Sequence, residues 1–290
     1  MKTFFLMLGS AFMGALAVVA IVWGYVVYQT SRGETARFPP RGPEEVVQSV
    51  PPVEAYERFY GSHGSWHGNF PDEARRKVLA AGPGKITGTV TASGKPAPGL
   101  RLRLALNGAV MSQWATSGAD GKYEVALPYG KYLVNGHELD SKTVDRALSG
   151  KIDAPRYLAP NRDPVTVAEG RPARGPDLVY VDPVKRTGPS GEVSLGQPVI
   201  ASWEPYPGAS AYRLQVTEQR SAHDFGTMRQ LFEWRDRPLV EATRAELGKL
   251  GAKLKKGYYY RVEIEALDKD RHALSEAPRH SDGAGFKVVD

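Results

Sequence analysis

The hydrophobic and polar positions of the chain fall into four successive textures. Phe4 to Tyr28 is a 25-residue run whose only hydrogen-bonding side chains are Ser10, Trp23, Tyr25 and Tyr28. At ~1.5 Å per residue a helix of that length reaches about 37 Å, enough to cross a ~30 Å hydrocarbon core with some tilt. Trp23, Tyr25 and Tyr28 cluster at its far end, where aromatic rings favour the membrane interface. A cleaved signal peptide is the rival reading, since Lys2 gives a basic start and Ala15-Leu16-Ala17 a small-residue site. The apolar run continues about eleven residues beyond Ala17, too long for an ordinary signal, so residues 1–28 read as a retained anchor.

Over residues 29–83 no alternation is sustained. "RFPPRGPEEVVQSVPP" (37–52) is a proline-rich, charged spacer of semi-extended character. "VEAYERFYGSHGSWHGNF" (53–70) then gathers Tyr56, Phe59, Tyr60, Trp66 and Phe70, an aromatic cluster suited to docking on a domain or a partner protein. His63 and His67 have the four-residue spacing of a helical metal site. Gly61, Gly64 and Gly68 surround them and no third ligand is near, so they read as loop imidazoles. "PDEARRKVLAAG" (71–82) reads as a short helix: Pro71 and two acids open it and Gly82 closes it.

From Lys85 the period changes to two. Leu100, Leu102, Leu104 and Leu106 share one face, with Arg101 and Arg103 on the other. In "WATSGADGKYEVALPYGKYLV" (114–134), Asp120-Gly121 reads as a turn, after which Tyr123, Val125 and Leu127 point inward and Lys122 and Glu124 outward. Pro128-Tyr129-Gly130 makes a second turn before Tyr132 and Val134. "DSKTVDRALSGKI" reads as a short helical insertion capped by Asp140 or Ser141. After a Pro/Gly linker, "VDPVKRTGPSGEVSLG", alternation returns: Val199/Ala201/Trp203, Tyr212/Leu214/Val216 and Tyr260/Val262/Ile264/Ala266. Strands at this spacing predict an all-β chain of two tandem β-sandwich domains behind one N-terminal transmembrane helix.

Two family resemblances follow from these residues. "ITGTVTASGKPAPGLRLRL", "TSGADGKYEVALPYGKYLV" and "DLVYVDP" resemble the carboxypeptidase-regulatory-like, transthyretin-like sandwich over residues 84–184. The insertion at 137–163 is long for that family. Residues 190–290 resemble a fibronectin type III domain: Trp203 matches its core tryptophan, and Leu254 with Tyr260 its tyrosine corner, where the hydroxyl bonds back to the backbone. Lys256 stands where that corner usually has proline. "HALSEAP" and "AGFKVVD" would be the last loop and last strand, and 219–250 is longer than the pattern requires.

Composition changes the functional picture more than the fold. The 290 residues include 31 Gly, 22 Pro and no Cys, which favours turn-rich β structure and excludes disulfides and thiolate chemistry. A net charge of +6 is mild for this length and gives no nucleic-acid signature. H-E-x-x-H, H-x-x-E and G-x-S-x-G motifs are absent, and no glycine-rich phosphate loop opens a helix. The six histidines, 63, 67, 137, 223, 272 and 280, fall in expected loops. Asp268 and Asp270 read as a solvated loop. "GADGK" offers a hard cation one carboxylate beside a lysine. Related surface domains form Lys–Asn isopeptide bonds; Lys85 and Asp177 are the pair such a bond would use, yet both read as solvated strand ends.

The expectation is a non-enzymatic protein without cofactor or metal: a structural or adaptor subunit of a bacterial envelope assembly. It would be single-pass in the inner membrane, with its C-terminal domains in the periplasm or on the cell surface. Expected partners are envelope or membrane proteins, met by Tyr56, Phe59, Tyr60, Trp66, Phe70 and exposed loops, and the lipid bilayer through residues 4–28. Ser10-x-x-x-Gly14 has the spacing that lets two membrane helices approach, so a homo-oligomer is among them, although such residues are common in membrane helices. Charge alone argues against export, with Arg32, Arg37 and Arg41 after the span and Lys2 before it. The alternative function is glycan or peptidoglycan binding, with Trp66 or Trp234 stacking on sugars beside Arg235 and Arg237. Asp120, Gly121, Tyr123, Trp203, Leu254 and Tyr260 are read as structural residues.

Overall fold

The structure is a computed structural model that describes residues 43–52, 76–155, 163–277 and 285–289. The chain divides into two units, Met1–Glu44 and Glu45–Asp290. The expected membrane run at 4–28 lies outside the described residues, among which no helix is long and apolar enough to cross a membrane.

The second unit is nearly all β, with two separate apolar cores. Around the first core run β1 (Glu45–Val47), β2 (Lys77–Leu79), β3 (Gly84–Ala92), β4 (Lys95–Pro96), β5 (Arg101–Leu106), β6 (Val110–Met111), β7 (Ala115–Thr116), β8 (Lys122–Leu127), β9 (Gly130–Tyr132) and β10 (Val134–Leu139). The helix α1 (Ser141–Ala147) follows, then β11 (Ile152–Asp153), β12 (Val165–Val167), β13 (Ala173–Arg174) and β14 (Leu178–Val181). One sheet has the order β1-β2-β6-β5-β10, with β7 also on β5. The other has the order β11-β14-β3-β13, with β4 and β8 along the opposite edge of β3. Period-two side chains close the space between them: Ile86, Val90, Leu102, Leu104, Tyr123, Val125, Leu127 and Tyr180 are all buried.

The second core lies among β15 (Arg186–Gly188), β16 (Gly191–Val193), β17 (Ile200–Trp203), β18 (Ala211–Gln219), β19 (Arg229–Gln230), β20 (Leu239–Val240), β21 (Arg244–Glu246), β22 (Tyr259–Leu267), β23 (Ala273–Glu276) and β24 (Gly285–Val288). A three-stranded sheet, β15-β17-β21, faces a larger one of order β16-β24-β22-β18-β19, with β20 on β18 and β23 on β22. Trp203 packs edge-on against Tyr212 at 5.2 Å, and Tyr260 stacks on Phe286 at 5.6 Å.

Five expectations are corrected. Residues 77–79 are a strand: Val78 and Leu79 are buried, and pairing with β1 and β6 outweighs the helical start signals of 71–76. Leu79 joins the first core and Val47 packs against it, so the expected spacer contributes to the sandwich. The insertion begins after Leu139, since β10 carries His137 inside the sheet opposite Leu104. The Pro/Gly linker holds β15 and β16. "HALSEAP" contains β23, paired with Glu265–Leu267, so the last strand is split in two. Arg103 does face away from the leucine stripe, but it is fully buried there. Its Nε and Nη2 donate to Glu138 Oε2 at 2.9 and 2.8 Å. Both Arg101 and Arg103 lie over the Trp114 ring, at 4.6 and 4.7 Å. In α1, Asp140 is the N-cap and accepts from the Lys142 amide.

The Asp120-Gly121 turn shows how tightly the first core is closed. Asp120 Oδ1 accepts from the Lys122 amide at 3.0 Å, and Gly121 has φ +76°. A Cβ on Gly121 would lie 2.5 Å from the Val90 carbonyl oxygen, which is backbone and cannot swing aside. Gly121→Val therefore adds a clash to a strained φ and should cost roughly 2–4 kcal/mol. Asp120→Asn keeps a side-chain acceptor at the same place and should leave the melting midpoint unchanged. Thermal unfolding of both variants checks the pair.

Candidate interaction surface

The outward face of β18 and β22 is where local sequence and exposure part company. Alternation turns Arg213, Gln215, Thr217 and Gln219 away from the second core, opposite Glu265, Glu263, Arg261 and Tyr259. Such a polar row ordinarily meets water, yet Gln215, Thr217 and Gln219 are buried. The segment between β18 and β20 supplies polar partners on this face. The Phe232 carbonyl accepts from Gln215 Nε2 at 2.9 Å, and the Ala222 carbonyl from Arg261 Nη2 at 2.9 Å. Arg237 Nη2 sits 3.6 Å from Glu265 Oε2, which Arg213 Nη1 also approaches at 2.9 Å.

This arrangement fixes one aromatic ring at the surface. Trp234 opens a short 3-10 turn, Trp234–Asp236, between β19 and β20, and it is 60% exposed. The Arg237 guanidinium lies 3.6 Å from the ring centroid, and its Nε donates to the Trp234 carbonyl at 3.2 Å. Arg237 is itself only 8% exposed in its side chain, held by Glu265. The indole is thus braced on one face by a side chain with little freedom of its own, which lowers the entropy lost on binding. Met228 and Leu239, from the same segment, are also exposed. Arg235, adjacent in sequence and exposed, is not the residue that stacks.

The other sequence-derived residues are placed as follows. Tyr56, Phe59, Tyr60, Trp66 and Phe70, with His63 and His67, lie outside the described residues. Tyr123 is buried and donates from its hydroxyl to the Pro176 carbonyl at 2.6 Å. Trp203 is buried in the second core, and Leu254 is half-buried against it. Tyr260 Oη accepts from the Lys255 amide at 2.8 Å and donates to Glu218 Oε2 at 2.8 Å, so the corner reaches both a backbone turn and the end of β18. Lys85 pairs with Glu124 at 2.7 Å, while Asp177 accepts from Thr89 Oγ1 at 2.7 Å and pairs with Arg174. The structure does not bring Lys85 and Asp177 together. Asp268, Asp270 and His272 could converge on one ion, but Asp268 Oδ1 already accepts the amides of Asp270 and His272 at 2.9 Å, and Lys269 pairs with Asp270. These bonds describe a hairpin turn.

No family profile matches the chain, and no curated protein matches it. Solved structures do. A DUF3823 family protein from Bacteroides ovatus ATCC 8483 is 13% identical over 70% of this chain and 98% of its own, with a TM-score of 0.23. The Bacillus anthracis TIE protein is 13% identical over 73% of this chain and 33% of its own, with a TM-score of 0.26. The fibronectin(III)-like modules of Clostridium thermocellum CbhA are 16% identical over 70% of this chain and 90% of theirs, with a TM-score of 0.21. At those scores the fold rests on the strand pairings above, and activity is not inferred from these likenesses.

His137 was expected in a loop. It is buried on β10, with Nε2 3.0 Å from Tyr180 Oη. No local motif marks it, because the contact joins β10 to a strand about forty residues on.

The corner also sets a pH response. Burial pushes the Glu218 carboxyl up, but the Tyr260 hydroxyl, Lys255 and Arg229 outweigh it and hold the group below its ordinary value of 4.5. A carboxyl depressed in the folded state contributes stability above the unfolded value, lost as pH falls through the folded one. Glu218→Gln should therefore be less stable at pH 7 by about 1–3 kcal/mol, and its stability should fall less steeply below pH 4.5. Denaturant titrations at pH 7 and along the acid limb measure both.

Proposed function

We propose that the chain is a membrane-anchored, non-catalytic structural or adaptor subunit of a bacterial envelope assembly. In this reading residues 4–28 anchor it in the inner membrane, and both sandwiches stand in the periplasm or on the cell surface. The first sandwich is a carboxypeptidase-regulatory-like domain and the second a fibronectin type III domain. The observation that supports the reading best is Trp234, a large ring kept at the surface by Arg237 and Glu265. Pre-organised tryptophans of this kind are frequent anchors of protein–protein contacts. The aromatic segment 53–70 supplies the second contact.

A glycan-binding surface is the other reading, favoured by the uncovered face of the same ring and by Arg235 beside it. Sugar-binding surfaces commonly align two or more exposed rings. Among the described residues the exposed rings are Tyr129 and Trp234, which belong to different sandwiches.

Two measurements test the adaptor reading. Detergent extraction of tagged full-length protein should recover a stoichiometric protein partner, and Trp234→Ala should weaken that capture about tenfold or more without moving the melting midpoint. Recovery of the chain alone, or retention on purified peptidoglycan that Trp234→Ala abolishes, would replace it with the glycan reading. Protease should digest the C-terminal part in spheroplasts and spare it in inverted vesicles; the reverse pattern would put the sandwiches in the cytoplasm.

A further inference from the structure

We propose that Asp182 is a latch that sets the angle between the two sandwiches, and that the chain pivots at residues 181–182 when its carboxylate lets go. The inference holds whether the Trp234 surface meets a protein or a glycan. The backbone of 182–185 is bonded to the second sandwich. The Asp182 carbonyl accepts from Ser275 Oγ of β23 at 2.6 Å, and the Val184 amide donates to the Glu276 carbonyl at 3.1 Å. The Lys185 carbonyl accepts from the Glu204 amide at 2.8 Å. Ser275 is fully buried, so this anchorage lies in the body of that sandwich. The tie to the first sandwich is the Asp182 side chain. Its Oδ2 accepts from Ser93 Oγ at 2.5 Å, and its Oδ1 pairs with Lys151 Nζ. Ser93 follows β3 and Lys151 leads into β11, the two strands that flank β14 in the sheet. One carboxylate just past the end of β14 thus clasps both of its neighbours.

Ser93 carries the second observation. Its φ is +48°, and Gly94 follows at +75°. A tight hairpin turn with two positive φ angles favours Asn-Gly or Gly-Gly, because an ordinary side chain is strained there. Here the serine offsets the strain with two bonds to the joint. Its amide donates to the Tyr180 carbonyl at 2.8 Å, and its hydroxyl to Asp182. Glycine would keep the first bond, relieve the strain and lose the second.

The clasp is weak enough to open. The Asp182 side chain is 60% exposed, and ion pairs of that exposure add little to stability. Neither sandwich depends on it to fold. What it restricts is the freedom of one short segment, whose dihedrals are fixed only while both ends are held. The Lys151 ammonium and the Ser93 hydroxyl hold Asp182 below its ordinary value of 3.8, so at neutral pH it is ionised and only accepts. A partner that binds the open arrangement better can therefore turn one sandwich against the other.

The chain has no cysteine, so Lys122→Cys and Lys249→Cys place one spin label on each sandwich, at exposed positions away from the joint. In full-length protein in detergent, double electron–electron resonance should give a single narrow distance peak. Asp182→Ala should lose that peak to a broad distribution while keeping the melting midpoint. Ser93→Gly combined with Lys151→Met removes both partners of the carboxylate, leaves the backbone bonds of Asp182 intact and should broaden the distances likewise. Adding Asp182→Ala to that pair should broaden them no further, since all three act through one contact. Should Asp182→Ala fail to fold, the Ser93→Gly/Lys151→Met pair decides. The proposal is overturned if the parent distribution is already broad, if the peak stays narrow in either variant, or if Asp182→Ala widens the pair's distribution further.

Discussion

The second unit depends on a chain segment that leaves one core at the end of β14 and enters the other within four residues. Tyr180 is buried in the first core and Val184 in the second. Between them Asp182 accepts from Ser93 Oγ at 2.5 Å and pairs with Lys151, both on the first sandwich. Its carbonyl accepts from Ser275 Oγ at 2.6 Å, on the second. The Val184 amide then donates to Glu276, and the Glu204 amide to the Lys185 carbonyl. A span this short, bonded on both sides, leaves few free dihedrals between the two cores.

The β texture was legible because side-chain period reports a half-buried sheet directly. Tyr123/Val125/Leu127 and Tyr260/Val262/Ile264 point where their alternation says they must. The failures share a cause. Lys77–Leu79 has helical start signals upstream, but three residues are too few for periodicity to outvote the hydrophobic demand of Val78 and Leu79. Likewise β23 is four residues long and exists by pairing with β22, which no local pattern encodes. Glycine and proline in 181–196 suggested a linker, though β15 and β16 need only edge pairing with β17 and β24.

The candidate surface was half legible. Trp234, Arg235 and Arg237 stood out as an aromatic among cations, and the excess length of 219–250 marked an excursion. What the sequence hides is that this excursion bonds to the outward polar row of β18. The three-residue spacing from Trp234 to Arg237 lets the guanidinium reach the ring, while Arg235 is exposed. The row itself, Arg213 to Gln219, reads as a solvated face until the bond from Gln215 to the Phe232 carbonyl is seen, with Arg237 reaching Glu265 on the neighbouring β22.

Three buried polar networks link elements remote in sequence, and they differ in one respect that matters. Arg103–Glu138 and Lys255–Glu218–Tyr260 each set a carboxylate against a cation. Removing the carboxylate charge there would leave a cation without its counter-charge, a cost that falls on the folded state. The third joins the two sheets of the first sandwich through His137 Nε2 and Tyr180 Oη at 3.0 Å. Burial pushes the imidazole down to about 4, so this contact is between neutral groups and needs no counter-charge. The first two networks hold their strands by charge, whereas this one holds the sheets by a bond that burial itself keeps neutral.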